Sequence, residues 1–144
     1  MMAAVRLPSS PRRRTAKPEV GVQKSVVAYL RRTLPCGFLI VAVSNNPRSA
    51  AAGAREKSMG MLKGWPDLAI YGRGPDGRAF AGFIECKAPN GRLRPEQQAI
   101  LDQLDDCGHR TAVVRSVEDI QRAVLRWRLP SLDVAVRESE GASA

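Results

Sequence analysis

The sequence predicts an α/β sandwich, a central mixed β-sheet flanked by helices. Three observations carry that prediction. Apolar residues recur at helical spacing in three separate stretches. Short apolar, β-branched runs of strand length lie between them. The resulting order, helix-strand-strand-strand-helix-strand-helix (α-β-β-β-α-β-α), alternates in a way that needs cover on both faces of a sheet. With 144 residues, 44% of them hydrophobic and 26% charged, the chain has the size and composition of one soluble domain with room for terminal tails.

Each element has a local cause. Residues 1–17 carry three consecutive arginines and two prolines with no apolar period, which predicts a disordered basic arm. Pro18 suits a first helical turn. From there Glu19, Gln23, Val26, Val27, Leu30 and Leu34 form one stripe, until Pro35 and Gly37 stop the helix. The run at 38–43 predicts a buried strand. Residues 44–63 are rich in Ala, Gly, Arg and Lys and read as a loop, with a short helix open over 50–61. Residues 67–71 and 79–87 predict a hairpin around the turn at 72–77. A helix starts at Pro95 with Ile100, Leu101 and Leu104 inward, and Gly108 ends it. A strand at 111–114 follows. Ser116 with Asp119 resembles a capping box for a last helix over 117–127, ended by Pro130. The ordered domain is therefore 18–130, with a dispensable polar tail over 131–144.

Composition narrows the function classes. Three cysteines without a CxxC pair and one histidine argue against a disulfide framework, a zinc cluster, and hydrolases built on Ser-His or Cys-His pairs. This suits a reducing, cytoplasmic compartment. The longest apolar run is far short of the ~20 residues that cross a bilayer, so no membrane partner is expected. The net charge of +9 favours a polyanion. Residues 1–17 hold five cations and no acid, which leaves +4 on the rest of the chain.

Strand periodicity then places the chemistry. Alternation puts Phe83, Glu85 and Lys87 on one face of their strand, and Ile84 and Cys86 on the other. Hairpin pairing brings Asp67 toward the same end, with the register open by a residue or two. Glu19 lies on the inward stripe of the first helix, a third acid aimed at one region. Two like charges about 4 Å apart repel by roughly 4 kcal/mol at an effective dielectric near 20. Protonation or a divalent cation must offset that cost. Oxygen donors without histidine or thiolate favour Mg²⁺ or Mn²⁺ over zinc. A lysine beside them suits the holding or deprotonation of an attacking water, the equipment of a phosphodiester hydrolase. The plainer reading is a surface Glu85–Lys87 pair worth under ~1 kcal/mol. Arg48, Arg55, Lys57 and Lys63, then Arg92 and Arg94, flank these acids and read either as solvated loop charges or as candidates for tracking phosphates. His109 reads as a surface or helix-end residue, and Trp65 as a wedge against the core, with stacking on a base as the second reading.

The segments Gly64-Trp65-Pro66-Asp67-Leu68 and Phe83-Ile84-Glu85-Cys86-Lys87 resemble the PD-(D/E)xK nuclease superfamily, and more narrowly the virus-type replication-repair nuclease (VRR-NUC) domain. The resemblance spans about residues 18–127. It adds Glu19 and Gln23 on the first helix, a glutamine at Gln97 or Gln98, and the Ser116–Asp119 helix start. It implies a restriction-endonuclease-like core in which Asp67, Glu85 and the backbone carbonyl of Cys86 bind Mg²⁺ or Mn²⁺. Lys87 would orient water, Glu19 would be an accessory or second-metal acid, and Gln97 would position water, ligand or phosphate. No small-molecule cofactor is implied. The resemblance further implies a phage or prophage DNA endonuclease, a homodimer that cuts branched DNA as junction resolvases do. Two alternatives stay open: a basic architectural DNA-binding protein, and a nuclease subunit active only with a partner.

Overall fold

A computed structural model describes residues 17–44 and 48–142 of the chain, so the basic arm at 1–16 lies outside the described residues. The elements are α1 (Pro18–Thr33), β1 (Leu39–Ala42), α2 (Ala50–Ser58), β2 (Leu68–Arg73), β3 (Ala79–Cys86), α3 (Pro95–Asp106), β4 (Arg110–Val114), α4 (Val117–Arg126) and α5 (Val134–Gly141). The four strands form one mixed sheet in the order β1-β2-β3-β4, antiparallel except for the parallel β3–β4 pair.

Side-chain alternation splits the core into two layers. Ile70, Ile84, Cys86 and Val114 face the helices α1 and α4 and pack with Val26, Leu30, Ile120 and Val124. Ala69 and Phe83 face the opposite way and pack under Leu104, Ile100 and Trp65. The predicted facing of Phe83 against Ile84 and Cys86 holds. α4 begins at the predicted cap: Ser116 Oγ accepts from the Asp119 N–H at 3.2 Å, and Asp119 Oδ2 accepts from the Arg115 N–H at 2.9 Å.

Three expectations need correction. The run at 38–43 is not a buried strand. It is an edge strand, shorter than the run, with Leu39 64% exposed and Val41 also open to solvent. An edge strand has a neighbour on one side only, and the helices cover just the face that carries Ile40. Gly72 and Arg73 belong to β2 rather than to the turn. Gly72 is needed there because a Cβ would stand 2.5 Å from the Phe38 ring. The third correction concerns the C-terminus, where the domain does not end at 130. The Leu132 N–H donates to the Thr33 carbonyl at 2.7 Å, the Tyr29 hydroxyl donates to Asp133 Oδ2 at 2.6 Å, and Val136 on α5 is buried in the main core. One apolar side chain and one tyrosine contact were enough to dock a segment that looks polar on average.

Candidate active site

The site lies at one end of the sheet, where β2 begins, β3 ends, and the N-termini of α1 and α3 meet. Antiparallel pairing sets this up: Leu68 stands opposite Ile84, so the residue before Leu68 and the residue after Ile84 share that end. The pairing is sealed by Asp67, whose Oδ2 accepts from the Cys86 N–H at 2.8 Å. The loop entering β2 carries Gly64 at φ 86°, a backbone that favours glycine, and a Cβ there would lie 2.9 Å from the Glu96 backbone. Glycine thus lets the loop press against the start of α3, three residues before Asp67. Trp65 stands edge-on to Phe83 with ring centroids 5.6 Å apart, which fixes the loop against the core.

Glu85 near the end of β3 and Lys87 just after it are 2% and 4% exposed. Lys87 Nζ lies 3.0 Å from Glu85 Oε1 and 3.8 Å from Glu19 Oε1. The Lys87 N–H donates to the Val114 carbonyl at 2.9 Å, which extends the parallel ladder and holds the lysine backbone. From the other layer Gln97, 7% exposed, donates from Nε2 to Glu85 Oε1 at 2.6 Å while its Oε1 accepts from the Arg94 N–H at 3.0 Å. The two oxygen and nitrogen ends of the amide are therefore both used, which settles its orientation. Gln98 points elsewhere, to Asp102 Oδ1 at 2.8 Å on the surface.

Burial sets the electrostatics. It pushes the Glu85 carboxyl up from 4.5 to about 6 against the pull of Lys87, with the Asp67 charge adding to the rise. Asp67 is also held above its ordinary value by burial, although the Cys86 N–H and the Lys87 charge oppose this. Burial, then the charges of Asp67 and Glu85, push the Cys86 thiol up to about 12. It packs as an inert small hydrophobe.

Whether a divalent cation fits can be judged from the donors. Among the described residues no group of three His, Cys, Asp or Glu side chains gathers to hold an ion, so the expected three-acid cluster is not compact. Glu19 is half-exposed and turns to Lys87. Asp67 and Glu85 remain. Their bonds among the described residues use Oδ2 and Oε1, which leaves Oδ1 and Oε2 as the oxygens that would meet a cation. Mg²⁺ is commonly held by one or two carboxylates, with water and substrate phosphate completing its shell. The donor set fits.

The flanking cations are placed less tightly. Arg48, Arg55 and Lys57 are exposed on or beside α2, and Arg92 and Arg94 are exposed before α3. Lys63 and Arg94 both approach Glu96 Oε1, at 3.5 and 4.0 Å. His109 is exposed with its ring edge-on to Phe83 at 5.5 Å, a packing role away from the acids. The sequence reading missed Arg115, whose Nη2 donates to the Gly91 carbonyl at 2.9 Å and ties down the turn after Lys87. An arginine after a strand gives no sequence signal of a bond 24 residues away.

A mixed sheet with an aspartate entering one strand and Glu-x-Lys closing the next, between two helix N-termini, defines the PD-(D/E)xK class of nuclease folds. The comparisons with known proteins narrow this. The VRR-NUC domain model matches residues 12–118, so the chain belongs to the VRR-NUC family of nucleases. A solved structure described as "VRR_NUC domain protein" is similar over 76% of this chain and 86% of its own, with a TM-score of 0.59 and 23% identity, and it supports the fold. No curated protein matches the chain. Among the described residues no helix is long and apolar enough to cross a membrane.

Proposed function

We propose that the chain is a Mg²⁺- or Mn²⁺-dependent DNA endonuclease that favours branched DNA. The observation that carries this reading is the buried Glu85, bonded by Lys87 at 3.0 Å and Gln97 at 2.6 Å, beside an Asp67 fixed to the same strand end. Asp67, Glu85 and the Cys86 carbonyl would hold the cation, which when bound supplies charge stabilisation and an acidified water. The protein's own groups do the rest. Lys87 Nζ, anchored by Glu85 and Glu19, orients the attacking water. It offsets the negative charge that builds on the phosphoryl oxygens as the water oxygen bonds to phosphorus, the P–O3′ bond breaks, and the departing 3′ oxygen takes a proton from solvent. The products are a 5′-phosphate and a 3′-hydroxyl. Gln97 keeps Glu85 in one rotamer, so the carboxylate need not reorganise during reaction. Exposed Arg48, Arg55, Lys57, Lys63, Arg92 and Arg94 track phosphates on either side.

A homodimer fits this reading. Leu39 and Tyr71 are paired neighbours on one sheet face, and with Val41 they leave an uncharged apolar strip that a twofold-related copy can bury against itself. A place among phage or prophage replication and repair enzymes of the bacterial cytoplasm rests on the family resemblance alone.

The test is cleavage of labelled linear, flap, fork and four-way DNA with Mg²⁺ and with Mn²⁺. The native chain cuts branched substrates and the Lys87→Met chain does not, while both bind DNA with similar salt dependence. A native protein that shifts branched DNA but cuts nothing with either metal is the architectural alternative, and overturns the proposal.

A further inference from the structure

α2 buries no side chain. The segment that leaves it is nonetheless apolar, with Met61 half-buried and Leu62 exposed. Gly53 sits inside the helix, where glycine is costlier than alanine, and it borders a concavity of about 480 Å³. Gly60 and the side chains of Glu56, Lys57, Met61, Leu62 and Lys63 form the other walls. Having no side chain, Gly53 adds no bulk to this space.

The lining has the chemistry of a nucleotide. Met61 and Leu62 offer an apolar surface to a flat ring. Lys57 and Lys63 offer cations to a phosphate, and Glu56 offers an acceptor to an exocyclic amine. The chain also sets this concavity beside the catalytic acids. Lys63 pairs with Glu96 at 3.5 Å, and Asp67 follows four residues later, a span of at most about 14 Å.

We infer that the concavity receives one unstacked nucleotide of the DNA strand next to the phosphate being cut, with a base that carries an exocyclic amine preferred over thymine. The inference rests on the nuclease reading above and names the feature of DNA which that site selects. A base in an intact duplex must be unpaired and unstacked to enter, whereas at a branch or a single-stranded end that cost is smallest. Selectivity for branches then needs no separate module.

The probe is 2-aminopurine, moved one position at a time around the branch of a flap substrate and bound to the Lys87→Met chain so that nothing is cut. Unstacking raises its fluorescence. The expected result is a severalfold rise at one or two positions, lost when Gly53→Leu fills the space in a substitution that favours the helix. Leu62→Asp, which spoils the apolar wall, loses it too. Affinity for flap DNA falls by about tenfold in both variants, the scale of one lost base contact, while affinity for blunt duplex stays within about twofold. Thymine at the responsive position weakens binding, and Glu56→Leu removes that discrimination. No brightening at any position, or brightening that survives Gly53→Leu, overturns the inference. So does a change of oligomeric state in Gly53→Leu, which would assign the surface to another copy. Cleavage without brightening sinks the nucleotide site alone, and brightening in a chain that never cuts sinks the nuclease reading alone.

Discussion

Replacing Glu85 with glutamine removes a titration from the centre of the site and little volume. In the folded chain burial raises this carboxyl from 4.5 to about 6, so the native state holds the proton more tightly than the unfolded state does. The associated stability is fully present below pH 4.5 and is lost as the pH rises through 6. At about 1.4 kcal/mol per pH unit the interval corresponds to roughly 2 kcal/mol. Urea unfolding of both chains, in EDTA at half-unit steps from pH 4 to pH 7.5, measures it. The native chain should lose about 2 kcal/mol relative to Glu85→Gln across that range, most of it between pH 4.5 and 6. A difference that stays flat, or that grows in the native chain's favour, would show that Glu85 is not held in a desolvated, acid-rich site.

Two further substitutions test the frame around the site. Tyr29→Phe removes the 2.6 Å bond to Asp133, and because Asp133 is half-exposed the loss should be about 1 kcal/mol at pH 7. That bond holds Asp133 below the usual carboxylate range, while burial, then Asp133 itself, push Tyr29 up to about 12. The contribution of Asp133 is lost as acid protonates it below its ordinary value, and that of Tyr29 as the pH rises from 10 through about 12. The two unfolding curves should therefore approach each other in acid, and the native chain's advantage should vanish and reverse as the pH rises toward 12. Gly64→Ala puts a Cβ 2.9 Å from the Glu96 backbone at a φ of 86°. The left-handed backbone alone costs about 1–2 kcal/mol. Thermal unfolding should register that loss, and Mn²⁺-dependent cutting should fall by at least tenfold as the loop ahead of Asp67 shifts.

Much of this was legible from residue types alone. The facing of Glu85 and Lys87 follows from strand alternation, the reach of Glu19 toward Lys87 from helical spacing, and the α4 cap from Ser116 and Asp119, because each depends on neighbours close in sequence. The choice of Gln97 over Gln98 needed the angle at which α3 meets β3, a tertiary quantity. β1 looked buried since its run of apolar residues carries no sign of lying at a sheet edge. α5 looked dispensable because its docking rests on Val136, Asp133 and Leu132, too few residues to make a period. The three acids do act on one another, since the Glu19 charge raises both Asp67 and Glu85. But Glu19 turns to Lys87 and stays half-exposed, and among the described residues the three do not gather into one ligand group.

Binding of Mn²⁺ to the DNA-free protein tests most directly the proposal that Asp67 and Glu85 hold a metal ion. Calorimetric titration of the native chain, Asp67→Asn and Glu85→Gln at pH 7.5 should show saturable binding to the native chain, weakened at least tenfold in each variant. Equal binding by all three chains would contradict it, as would no binding by the native one.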